Sequence, residues 1–254
     1  MGKIKIIDLG VPIEPGPPGG TPQVRHLPHE EGVTGMMSSF GCQKEDLPQG
    51  LGWAVDYVTM STHDGTHVDA PWHYTPISEG KKARTIDQMP LEWFYGDGVV
   101  IDMRHKPHGS GITVDDMKNA LKKIKYTLKP GDIVCIQTGS DKKWGTAEYF
   151  GAGCGMTRES TLWVLNQGIH VVGTDAWGWD RPFWAQKEDF EKNHDKSILW
   201  AGHYVGIEKE YCHIEKLANL DKIPKPFGFK VACFPIKVVG GSAGWSRVVA
   251  ILEE

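Results

Sequence analysis

Gly98-Val99-Val100-Ile101-Asp102-Met103 and Asp132-Ile133-Val134-Cys135-Ile136-Gln137-Thr138 are two short, almost wholly apolar runs, and the residues between them read as a helix. Thr113 is followed three residues later by Asp116, an N-cap with a reciprocal acid, and Met117, Leu121 and Ile124 then recur at helical spacing. Runs this short and this apolar suit strands covered on both faces. Outward toward the C-terminus, Thr157 opens a second helix with Leu162 and Leu165 on its apolar face and Gly168 at its end. Residues 170–173 resume as a strand, 183–196 are charged and helical, and 230–234 and 248–252 are late strands. Toward the N-terminus, residues 3–9 and 55–60 have strand character. Between them Pro12, Pro15, Gly16, Pro17, Pro18, Gly19, Gly20 and Pro22 exclude helix and central strand, and residues 23–52, with His26 and His29, are expected to be irregular. Strands alternate with helices but outnumber those of a pure β-α-β repeat. The pattern predicts an α/β fold: a single domain over residues 1–254 with a mixed β-sheet and flanking helices.

Composition narrows the function classes. The 254 residues carry 28 basic and 32 acidic side chains, a net charge of −4 with no long run of either sign. That disfavours nucleic acid and anionic membrane surfaces as partners. Lys3, Lys5 and Asp8 break the N-terminal apolar stretch, and no window approaches the roughly 18 apolar residues of a membrane span. Met1-Gly2 begins like a myristoylation signal, but Ile6 stands where Ser or Thr is wanted. The five cysteines, Cys42, Cys135, Cys154, Cys212 and Cys233, are odd in number and lack a C-x-x-C pair, as expected of a reduced cytoplasmic protein. The glycines around Cys154 resemble a phosphate loop only loosely, with no Lys-Ser/Thr after them, and Ser242 lacks a nucleophile-elbow context. Both read as turns.

The segment Ser61-Thr62-His63-Asp64-Gly65-Thr66-His67-Val68-Asp69-Ala70-Pro71-Trp72-His73-Tyr74 holds three of the eleven histidines. Alternate residues of a strand share a face, so His67 and Asp69 point the same way with Cα atoms roughly 6.6 Å apart. From there an imidazole nitrogen and a carboxylate oxygen can close on one divalent ion at about 2.0–2.2 Å. In an extended chain His63 would lie roughly 13 Å from His67, so the chain has to bend at Asp64-Gly65, which glycine permits. Pro71 ends strand pairing, and His73 can return over the site without being a ligand. Spacing and residue type alone weigh this metal arrangement evenly against histidines in ordinary surface or core roles beside a plain turn.

From His63 to His73 the chain resembles the H-x-G-T-H-x-D-x-P-x-H signature of the metal-dependent cyclase-family hydrolases, which include kynurenine formamidases, isatin hydrolases and manganese-dependent dienelactone hydrolases. Ile7-Asp8-Leu9, Gly131-Asp132-Ile133-Val134, Thr138-Gly139, Gly173-Thr174-Asp175, His203 and the run from Glu215 to Leu220 follow the family in order, so the resemblance covers nearly the whole chain. It implies the swivelling β/β/α cyclase fold, with His63, His67 and Asp69 as ligands of a divalent ion, Mn²⁺ or Zn²⁺. It also implies His73 as the acid/base beside the ion, and His203 and Glu215 as ligands of a second ion or further partners of the first. Spacing would find neither of these last two. His203 has no local signal, while Glu215 beside Ile214, Leu217 and Leu220 reads locally as a helix-surface glutamate, next to a Lys216 expected to tolerate Gln.

The chain departs from the family at Gly10, where Ser is usual, and in the aromatic-rich stretch 176–184. It is also longer before His203. Trp72, Trp177 and Trp179 are candidates to stack on a planar substrate, or to fill core or interface space. The function expected is hydrolysis of an amide, an arylformamide or a cyclic amide, by water that the ion acidifies and His73 deprotonates. A lactone hydrolase, a non-hydrolytic cyclase or dehydratase, and a binding protein with a structural metal are the alternatives. The expected partners are a small, planar or aromatic substrate and further copies of the chain in a dimer or tetramer.

Overall fold

The two apolar runs centred on Val100 and Cys135 lie side by side as parallel strands in the middle of a nine-stranded sheet. The computed structural model describes residues 2–16 and 22–253. They fall into two compact units: Pro12–Asp64, and a larger one that joins the residues up to Val11 with those from Gly65 onward.

The sheet belongs to the larger unit. In chain order its strands are β1 (Ile4–Asp8), β2 (His67–Asp69), β3 (Tyr95–Asp102), β4 (Ile133–Gln137), β5 (Val171–Thr174), β6 (Cys212–Glu215), β7 (Phe229–Ala232), β8 (Ala243–Trp245) and β9 (Val249–Glu253). Across the sheet they run β1-β9-β7-β3-β4-β5-β6-β2-β8. The central β3, β4, β5 and β6 are parallel neighbours, and every other pairing is antiparallel. The sheet is mixed, as the excess of strands over helices predicts.

The capping signals hold. Thr113 Oγ1 accepts the Asp116 N–H at 3.2 Å and Asp116 returns a carboxylate oxygen to the Thr113 N–H at 2.8 Å, opening the helix Val114–Ile124. Thr157 caps Arg158–Leu165 with Ser160 as its reciprocal partner, and Gly168 at φ +84 donates to Leu165 O at 3.1 Å. Met117, Leu121, Val164 and Leu165 of these helices pack with Val99, Ile101, Val134 and Ile136 on one face of the sheet. Val100, Ile133, Cys135 and Val171 point to the other face, with Phe94, Leu220 and Val231. Covering on both faces is why residues 99–101 and 133–136 are apolar at successive positions, and each fully buried Ile or Val contributes about 1.5–3 kcal/mol. Burial pushes the Cys135 and Cys154 thiols up to about 12, so neither offers a thiolate. Among the described residues no helix is long and apolar enough to cross a membrane.

The smaller unit corrects the expectation of irregular chain over residues 23–52. Gln23–Leu27 is a strand that pairs antiparallel with Val55–Thr59, and His29–Phe40 is a helix ended by Gly41 at φ +65. The helix is hard to see because it starts after a proline and carries Gly32 and Gly35 inside. Gly32 is there for close approach: a Cβ on it would fall 1.8 Å from the Trp53 carbonyl oxygen, and one on Gly52 would fall 2.3 Å from the Gly32 carbonyl carbon. The strand expected over residues 55–60 exists, as Val55–Thr59, but it pairs with Gln23–Leu27 in a separate two-stranded sheet and is not one of the nine strands above. Pro17, Pro18, Gly19 and Gly20 of the proline- and glycine-rich stretch lie outside the described residues. Strands β6 and β8 carry no strand signal in the sequence reading above. Glu215, which reads locally as a helix-surface residue, is on β6.

Candidate metal centre

β2 and β6 are three and four residues long, and they pair antiparallel with His213 opposite Asp69, Ile214 opposite Val68 and Glu215 opposite His67. Val68 and Ile214 point into the core behind the sheet. By strand alternation the four polar residues therefore share the opposite face, as two imidazoles and two carboxylates at the corners of a rectangle. All four are buried: His67, Asp69 and His213 fully, Glu215 at 6% exposure.

Their contacts converge. His67 Nε2 is 3.1 Å from Asp69 Oδ1 and 3.7 Å from Glu215 Oε2, and His213 Nε2 is 2.8 Å from Asp69 Oδ2 and 3.1 Å from Glu215 Oε1. His203, from the turn His203–Ile207, brings Nε2 to 3.6 Å from Glu215 Oε1. Asp69, His203, His213 and Glu215 offer ligand atoms that all lie within 4.8 Å of one another. The His67 Nδ1–H donates to Gly65 O at 2.9 Å, which directs Nε2 at the carboxylates. Gly65 sits at φ +63, the left-handed conformation that makes the expected bend immediately before β2.

The electrostatics suit a cation. Burial and the neighbouring Asp69 charge oppose an ionised Glu215, yet its hydrogen bond with His213 holds the carboxyl well below the usual carboxylate range. Burial also pushes His213 down, but its hydrogen bonds to Asp69 and Glu215 outweigh this and raise it to about 9. Two carboxylates this close inside a protein demand positive charge, which a divalent ion held between them would supply. Three imidazole nitrogens and two carboxylates are the donor set that divalent Mn²⁺ or Zn²⁺ takes, so the residues present fit such an ion.

His73 stands at the edge. Pro71 opens the short helix Pro71–Tyr74, which turns the chain back and sets His73 Nε2 3.8 Å from Asp69 Oδ2 with a quarter of its side chain exposed. Trp200 closes the same side: its ring lies 4.1 Å from that of His203 in a stack and meets His73 edge-on at 5.1 Å. Tyr74 braces the floor, donating to Asp69 O at 3.3 Å, accepting the His213 N–H at 3.2 Å and stacking on the His213 ring.

His67, Asp69, His73, His203 and Glu215 are thus brought together. His63 belongs to the smaller unit, in the turn before Gly65, where its N–H donates to Ser61 Oγ at 3.2 Å. The three tryptophans separate. Trp179 is 1% exposed and stacks behind His213, which leaves no surface for a substrate. Trp177 packs on Phe150 and Phe183, and Trp72 is 38% exposed with Lys82 over its ring. Lys216, expected to tolerate Gln, is 5% exposed at φ +58, with Nζ 3.6 Å from Glu215 Oε2 and 5.0 Å from the Trp177 ring, so it is a poor neutral control.

His213 is the residue that sequence reasoning misses, although a signal exists. His213-Ile214-Glu215 repeats the alternation of His67-Val68-Asp69, and two such triplets on facing strands complete one site.

The sequence profile of the family described as "Putative cyclase" matches residues 7–181. The kynurenine formamidase of Erythrobacter litoralis is 28% identical over 221 residues, covering 85% of this chain and 85% of that protein. The isatin hydrolase of Roseibium aggregatum is 23% identical over 219 residues, covering 80% of this chain and 76% of the relative. In three dimensions the isatin hydrolase A of Ralstonia solanacearum superposes with a TM-score of 0.74 at 21% identity, over 98% of this chain and 92% of the other.

Proposed function

This chain belongs to the putative cyclase family, and from that premise we propose that it is a metal-dependent hydrolase that opens the carbon–nitrogen bond of an arylformamide or a cyclic amide. The observation that carries the proposal is the register of β2 against β6, which sets Asp69, His213, Glu215 and His67 on one buried face. Similarity to a kynurenine formamidase and an isatin hydrolase supports the amide as the bond attacked. A superposition that covers nearly the whole chain supports treating both compact units as one functional domain.

His67, Asp69, His203, His213 and Glu215 would hold the ion, and the motif position of His63 supports counting it among the ligands. When bound, Mn²⁺ or Zn²⁺ supplies Lewis acidity toward a carbonyl and lowers the pKa of water toward about 7. His73 does the proton work. It is beside the cluster, open to solvent on one side, and flanked by Trp200 and His203. It takes a proton from water as the water oxygen bonds to the carbonyl carbon, and returns it to the nitrogen as the carbon–nitrogen bond breaks. The buried tyrosine and tryptophan rings keep the ligand imidazoles in place and exclude bulk water from behind.

The test is turnover of N-formylkynurenine, isatin and a dienelactone by protein of measured metal content, before and after chelation. Hydrolysis of an amide that chelation abolishes and Mn²⁺ or Zn²⁺ restores is the expected result. Activity indifferent to the chelator, or metal-replete protein inert toward all three, would sink the proposal.

Glu215→Gln follows from the same reading. The amide keeps the shape of the side chain and loses the charge opposite His67 and His213, so metal affinity or turnover is expected to drop at least about tenfold in a folded protein. Because Lys216 touches Glu215, the neutral control is the exposed Lys222→Gln, for which wild-type metal content and turnover are expected. If Glu215→Gln matched wild type in both, Glu215 would have no part in holding the ion.

A further inference from the structure

We infer that Asp180 is a positioning residue of this centre, whose carboxylate fixes the tautomer and aim of His203. The inference rests on the metal reading above and concerns a residue outside the ligand set. Asp180 comes from the loop after β5 and is 7% exposed. A β-bridge to Met156 pins it, and the Met156 N–H donates to Trp179 O at 3.0 Å. Asp180 Oδ1 accepts the Gly202 N–H, and Oδ2 accepts both the His203 N–H at 3.1 Å and the His203 Nδ1–H. A carboxylate accepts, so Nδ1 carries a proton, and in the neutral ring that binds a metal the lone pair is left on Nε2, the atom 3.6 Å from Glu215 Oε1. The same hydrogen bonds hold the backbone of residues 202 and 203, so ring and main chain are aimed together.

The preceding residue braces the other two late ligands. The Trp179 N–H donates to Glu215 Oε1 at 3.0 Å. Its indole stacks under His213, with centroids 6.0 Å apart and planes at 17°, and is itself held by an Nε1–H bond to Thr161 Oγ1 at 3.0 Å. Trp179-Asp180 therefore supports His203, His213 and Glu215 from one side. This gives part of the aromatic-rich stretch 176–184 a task in ligand geometry. Outer carboxylates of this kind fix the ring orientation of metal-ligating histidines, and removing one weakens metal binding about 10–100-fold.

The experiment titrates Zn²⁺ or Mn²⁺ alone into chelator-treated wild type, Asp180→Asn and Asp189→Asn, following affinity by competition and Tm with and without the ion. Asp189 is the control because its carboxylate pairs with the adjacent Arg181 at 2.7 Å. Asp180→Asn is expected to bind about 10–100-fold more weakly and to lose part of the ion-induced rise in Tm, while Asp189→Asn keeps the wild-type affinity. A purely structural carboxylate would lower Tm equally with and without the ion and leave affinity alone, and that outcome overturns the inference. A wild type that takes up no ion overturns the metal reading and this inference with it. A wild type that binds beside an Asp180→Asn that binds equally well overturns this inference alone. Independently of any variant folding, long-range ¹H–¹⁵N spectra of metal-free wild type are expected to show His203 protonated at Nδ1, and an Nε2–H tautomer would refute the assignment.

Discussion

Asp69→Asn is expected to purify without stoichiometric metal and to lose activity by at least about a thousandfold. Asp69 is fully buried, and each of its two oxygens meets a different imidazole, Oδ1 His67 at 3.1 Å and Oδ2 His213 at 2.8 Å. Asparagine fills the same volume, so the strand pairing of β2 with β6 should survive. What it removes is one of the two negative charges that a divalent ion would neutralise, together with an oxygen ligand. Lewis acid catalysis is worth several kcal/mol, and each 1.36 kcal/mol is tenfold in rate. Circular dichroism and metal analysis of the same preparation separate loss of the ion from loss of the fold. A folded Asp69→Asn that retains one ion per chain would contradict the assignment of Asp69 as a ligand. His67→Ala should behave alike, because its Nε2 is aimed at both carboxylates by the Gly65 carbonyl.

The second large effect differs in kind. His73→Ala is expected to keep its metal and lose roughly 10²–10⁴-fold in kcat, the contribution of a well-placed proton carrier. The difference follows from position. His73 lies outside the buried rectangle, a quarter exposed and 3.8 Å from Asp69 Oδ2, whereas the imidazoles of His67, His203 and His213 are buried. Metal content measured beside turnover decides the role: an ion lost with the imidazole makes His73 a ligand, and wild-type kcat removes it from the chemistry.

Much of the site's first half is readable from neighbours in the chain. His67 and Asp69 share a face because alternation in a strand requires it, Gly65 bends the chain because its φ is +63, and Pro71 starts the turn that returns His73. These are local stereochemical facts, independent of the rest of the molecule. The second half is different. Glu215 next to Ile214 and Leu217 has no local periodicity that separates a buried strand from a helix surface, since β6 is only four residues long. Lys216 is charged, yet its ammonium is drawn into the interior by the Glu215 carboxylate and the Trp177 ring.

By itself the sequence determined the mixed α/β sheet, both capped helices on its face, the shared face of His67 and Asp69 after the bend at Gly65, and the covered character of the central strands. All of these depend on contacts a few residues apart or on which side chains avoid water. Only the tertiary structure decided that β6 lies against β2, with His213 opposite Asp69 and Glu215 opposite His67. That register joins segments separated by 144 residues, and what sets it is burial of Val68 and Ile214 in one core and neutralisation of two carboxylates on the other side. The same holds for the helix His29–Phe40, whose interior glycine is favoured by the backbone of Gly52 and Trp53 pressed against it. It holds also for Asp180, which reaches His203 across a turn and a helix. A short sequence window carries propensities, but a register and a charge balance exist only between segments that the folded chain has already brought together.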